Sequence, residues 1–67
     1  MKLIDLLSII DENTPVNVCY ASVVHQYDGR NSIPNELNDR EVVEVTAYVS
    51  SRFTPSAAVI EVWIKEG

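Results

Sequence analysis

Glu44 and Glu61 are the two carboxylates that the sequence brings nearest to a reaction, because each occupies the same face of a run alternating apolar and polar residues, and the two runs read as paired strands. Carboxylates held close together split their pKa values, so that one serves as acid and the other as base. Charges on an exposed sheet face are ordinary, however, and no signal of a pocket surrounds this pair. His25, the single histidine, has Tyr27 and Asp28 nearby and would make a base or a pH-sensitive contact, but an isolated strand or loop histidine is usually solvated surface. Cys19, the single cysteine, has no activating neighbour in sequence and reads as a small buried hydrophobe. One cysteine and one histidine leave no metal-ligand spacing, and two glycines leave no loop to cradle a phosphate. The expectation is a non-catalytic protein with no cofactor and no metal.

Recognition is the better-supported chemistry. Tyr48 and Trp63 fall on the same strand faces as Glu44 and Glu61, and Tyr20 joins them if the strand order permits. Tyrosine and tryptophan are enriched at binding hot spots because they bury large areas while keeping a polar handle. The plainer reading is that Trp63 packs against a loop or caps an ordinary core. Arg30, Arg40 and Arg52 are the arginines available to hold phosphates, with an aromatic ring to stack on a base.

The elements that must position these groups follow from periodicity. Between Lys2 and Asp11, Leu3, Leu6, Leu7 and Ile10 recur at helical spacing, which predicts a short amphipathic helix. Lys2 at its start and Asp11 and Glu12 at its end oppose the helix dipole, so it needs a sheet to pack on. Pro15 then forces Thr14 into extended conformation. Val16 to Ala21 alternates as a first strand. Ser22 to Tyr27 either continues it or returns as a hairpin partner, and two strands are preferred although Ala21-Ser22 lacks the usual turn residues. Asp28 to Pro34 reads as loop, followed by a helical turn at Asn35 to Leu37 anchored by Ile33 and Leu37. Asp39 to Val49 is predicted as the central strand, its Val43, Val45, Ala47 and Val49 facing the core, and Ala57 to Lys65 as its antiparallel partner with Ala58, Ile60, Val62 and Ile64 on one face. The expected fold is α+β: one domain over residues 1–67, ordered α-β-β-α-β-β, its N-terminal helix packed on a four-stranded, mainly antiparallel sheet.

With 67 residues, ten acidic and five basic side chains, the chain carries a net charge of −5. That argues against direct nucleic-acid binding, which depends on lysine and arginine displacing counterions. It suits a basic protein surface, although acidic excess often serves solubility alone. The early apolar run is short and interrupted by Asp5, which predicts neither a signal peptide nor a membrane span, and the single cysteine suits an intracellular, cytoplasmic location. A domain of this size buries only about 60% of its unfolded surface, so self-association is expected to help it.

The stretch from Met1 to Thr14, with its Lys-Leu-x-Asp-Leu-Leu-x-Ile-Ile-Asp-Glu-Asn-Thr frame, then Leu37 to Val43 leading to Thr46-Ala47-Tyr48, resembles small accessory proteins of phages and prophages of Gram-positive bacteria. The likeness spans most of the chain, departs from it in a longer loop at Ser50 to Ser56, and supplies no site residues. It implies a mobile-element protein acting in a bacterial host. Joined to the acidic charge, it leads to three expectations. The first is an inhibitor that binds a host defence protein such as a CRISPR effector. The second is an oligomeric sponge for a small nucleotide signal, held by Arg30, Arg40 and Arg52. The third is a homo-oligomer without ligand, in which a second copy covers the outer sheet face.

Overall fold

The computed structural model describes residues 1–51 and 56–66; Arg52 and most of the loop expected at Ser50 to Ser56 lie outside them. Helix α1 is Leu3–Leu7, and the strands are β1 Val16–Tyr20, β2 Val23–Tyr27, β3 Val42–Ser50 and β4 Ala57–Ile64, with 3₁₀ turns at Arg30–Ser32 and Asn35–Leu37 between β2 and β3. The fold is α+β, with little helix and a four-stranded mixed sheet ordered β2-β1-β4-β3. Two antiparallel hairpins, β1–β2 and β3–β4, lie side by side and are joined by a parallel pairing of β1 with β4. No helix among the described residues is long and apolar enough to cross a membrane.

That order corrects the expected centre of the sheet. β3 is an edge strand: Val45, Ala47 and Val49 share the face of Val62, Ile60 and Ala58 as expected but are exposed there, and Val43 is exposed as well. The inner places go to β1 and β4 because those strands are apolar toward both sides: Val16, Val18, Val62 and Ile64 point to the helix, and Cys19 and Val59 are buried beneath the opposite face. On its second face β3 offers Glu44, Thr46 and Tyr48, which suit a place at the rim.

α1 is shorter than expected, five residues in place of the run from Lys2 to Asp11. The backbone tightens after Leu7, where Ile9 and Ile10 donate to the carbonyls of Leu6 and Leu7, three residues back. Asp11 and Glu12, expected at the helix end, lie beyond it. The missing basic residue of its last turn is supplied from a distance: Arg30 Nη1 donates to the Leu7 carbonyl at 3.1 Å and to the Ile10 carbonyl at 2.7 Å. At the other end the Asp5 carboxylate accepts from the Lys2 backbone N–H at 3.1 Å. Leu3 and Leu7, 0% and 4% exposed, enter a core with Val16, Val18, Ile33, Leu37, Val62 and Ile64, while Leu6 and Ile10 pack at its margin. The expected packing of the helix on the sheet is matched in part: Val62 and Ile64 share its core and Ile60 lies at the margin, but Val16 and Val18 of β1 take the place given to Val43 and Val45.

The chain after α1 turns at Asp11–Thr14, where the Asp11 side chain accepts from the Asn13 N–H. Gly29 closes against it: a Cβ there would sit 2.5 Å from the Glu12 carbonyl oxygen, so only glycine fits the approach. The residues expected as plain loop include the 3₁₀ turn at Arg30–Ser32, and the expected anchors of the turn over Asn35–Leu37 are both buried, Ile33 just before it and Leu37 at its end.

Residues 16–27 form a two-residue hairpin, with Tyr20 opposite Val23 and both turn residues at positive φ, Ala21 at 51° and Ser22 at 62°. This is the turn that matches strand twist, built without the asparagine and glycine that adopt it readily. Replacing Ala21-Ser22 by Asn-Gly is expected to raise stability by about 1–2 kcal/mol in a urea titration. An unchanged midpoint would show that the turn carries no strain.

Candidate functional site

The buried residues of α1, with Ile33 and with Leu37 of the second 3₁₀ turn, lie on one side of the sheet. The other side has no element over it among the described residues, and its side chains follow from the strand registers. One row across the strands is Gln26, Asn17, Glu61 and Thr46; the next is Val24, Cys19, Trp63 and Glu44. Tyr48 stands beside Val59 and reaches across it, its hydroxyl accepting from Asn17 Nδ2 at 2.8 Å. Val59 is thereby fully buried and Asn17 is left 1% exposed, while Tyr48 and Trp63 remain 41% and 40% exposed.

Tyr48, Trp63, Glu44 and Glu61 are therefore gathered on one face, as their alternation predicted. Glu44 and Glu61 are diagonal neighbours, not a directly opposed pair, and neither carboxylate makes an ion pair or hydrogen bond with another described residue. Tyr20 is not with them. It lies on the helix-bearing side, packed against the core, with its ring 4.7 Å from that of His25 in a stacked arrangement and the Arg40 guanidinium 5.9 Å from its centroid. Alternation groups Tyr20 with Val16 and Val18, and the register of β1 on β4, which sets Cys19 beside Trp63, puts that group on the side away from Trp63.

Two of the three arginines are spent on the fold. Arg30 holds the end of α1, and Arg40 Nη1 donates to the carbonyls of Lys65 and Glu66, tying down the chain after β4. Arg52 lies outside the described residues. Arg30 also lines a cleft of about 400 Å³ with Asn31, Asn35 and Asn38 over Leu7 and Ile33. Cys19 is buried, and burial, then the nearby Glu61 carboxylate, push its thiol above the ordinary value, which keeps it an unreactive thiol at neutral pH.

Sequence reasoning missed two contributors. Asn17 is buried on an inner strand, with its Oδ1 enclosed and lacking a donor among the described residues, a cost of about 1–3 kcal/mol. Only the strand order makes it central. Val43 is the other: the β3–β4 register slips between Val42 and Glu44, so Val42 pairs with Ile64 on the core side while Val43 is left over beside Glu44. Val42 packs against the core and Val43 does not, which reverses the faces expected from strict alternation. A depression of about 220 Å³ opens at the bulge, lined by Val43, Glu44 and Trp63.

Comparison with protein-family models, with curated proteins and with solved structures finds no match to this chain.

Proposed function

We propose that this protein acts by binding and not by catalysis, presenting the Tyr48–Trp63 face with Glu44 and Glu61 to a basic protein surface. The observation that supports it is the gathering of two half-exposed aromatic rings and two unpaired carboxylates on the side of the sheet that no described element covers. The −5 charge suits a partner that itself handles nucleic acid, and with the phage resemblance this leads to a cytoplasmic inhibitor of a bacterial host defence protein. The sponge reading has less support, because Arg30 and Arg40 direct donors at backbone carbonyls. In a pull-down from a bacterial lysate, wild-type protein is expected to retain a basic protein that rising salt elutes. A variant with Glu44→Lys and Glu61→Lys should not retain it. Equal retention by both would overturn the reading.

A second observation favours self-pairing. Val43–Val49 is the outer rim of the sheet, contains no lysine, arginine or proline, and carries Glu44 as its one charge. Proteins ordinarily protect such an edge, and a second copy protects it without opposing like charges if the strands cross at Thr46, which sets Glu44 against the partner's Tyr48. Sedimentation is expected to give a dimer at micromolar concentration, and Thr46→Lys, which puts two ammonium groups together at the two-fold axis, a folded monomer. A wild-type monomer under those conditions would remove the self-pairing reading.

A further inference from the structure

We propose that the depression at the β3 bulge receives a single cationic side chain, lysine or arginine, from the protein partner; this rests on the binding reading above and names the contact at its centre. The bulge leaves both Val43 and Glu44 opposite Trp63, where regular pairing would have sent Val43 to the other face. Bulges recur where a side chain has to be re-aimed. The result joins three groups that a long cation needs: an indole face to attract the charge, a carboxylate to neutralise it and an apolar wall for its methylene stem.

Each group is available. Trp63 is 40% exposed and Val43 63% exposed. The Glu44 carboxylate has no cationic partner among the described residues, and Lys65, two residues beyond Trp63, makes no ion pair with it. At about 220 Å³ the depression is smaller than the roughly 300–1,000 Å³ of sites that hold whole small molecules, so its size suits one side chain. Glu61, diagonal to Glu44 on the same face, adds a second negative charge that favours the approach of a basic segment.

Because Trp63 is the single tryptophan, its fluorescence reports on this depression directly. Titration with hexaarginine or hexalysine is expected to change Trp63 emission saturably, whereas hexaglutamate does not. Glu44→Gln should weaken that binding about fivefold or more, and Glu36→Gln, which removes one charge from the 3₁₀ turn at Asn35–Leu37, less than about twofold. Trp63→Leu, followed by calorimetry, should weaken it comparably to Glu44→Gln; an unchanged midpoint in urea shows that the variant is folded. Binding that leaves Trp63 emission unaltered, and that falls equally in Glu44→Gln and Glu61→Gln, would overturn the cation site while leaving the broader acidic-face reading intact. No binding of either peptide at low salt would overturn both.

Discussion

Leu7→Ala and Leu3→Ala are each expected to unfold this protein or to leave it folded only when self-associated. Both side chains are almost fully enclosed between β1, β4 and the segment carrying Ile33 and Leu37, and truncating a buried leucine costs about 2–5 kcal/mol. A single core of this size supplies only on the order of 3–5 kcal/mol, so the loss is comparable with the whole margin. Leu6 is half-buried and should cost less, about 1–2 kcal/mol. Asp5→Ala should cost about 0.5–1 kcal/mol, because the carboxylate caps the first turn of α1 although it faces solvent. A urea titration of the four variants tests the order. Equal tolerance of Leu7→Ala and Asp5→Ala would show that α1 is not docked, and the assignment of the opposite face as free would fall with it.

Arg30→Ala is expected to be the next most damaging change, costing about 1.5–3 kcal/mol after allowance for its partial exposure. One guanidinium nitrogen serves two carbonyls, those of Leu7 and Ile10, at the end of a helix that has no basic residue in its own last turn. Removing it leaves both acceptors without their charged donor and releases the join between α1 and the 3₁₀ turn that starts at Arg30. Arg30→Lys should recover less than half, since an ammonium is more strongly hydrated than a guanidinium and gives up more to reach two partly buried carbonyls. The measurement also separates structure from ligand binding. A nucleotide-holding arginine would leave the urea midpoint nearly unchanged on substitution and abolish a nucleotide-induced thermal shift, the opposite of the result expected here.

Several elements were legible from local pattern. The alternation of Ala57 to Ile64 separated Ile60, Val62 and Ile64 from Val59, Glu61 and Trp63, and the register keeps them apart in that way. Helical spacing identified Leu3 and Leu7, and the anchors Ile33 and Leu37 followed from a helical turn after a loop. The gathering of Tyr48, Trp63, Glu44 and Glu61 was legible for the same reason, because a period of two carries a side chain's face along a strand without reference to its neighbours.

Tyr20 and Val43 show where that reasoning stops. Tyr20 belongs to the other face because β1 pairs in parallel with β4 in a register that sets Cys19 beside Trp63, a relation between strands far apart in the chain. Val43 changed sides because one extra residue is accommodated against β4, and a bulge leaves no mark in the alternation of its own strand. The end of α1 likewise involves a residue about twenty positions downstream, since Arg30 donates to the Leu7 and Ile10 carbonyls where the backbone has tightened. By itself the sequence determined which residues share a face, through the intrinsic periods of strand and helix. Only the tertiary structure decided which strand is central, which edge is free and which three side chains surround the bulge, because those depend on pairings that become favourable when the two hairpins bury their apolar sides together.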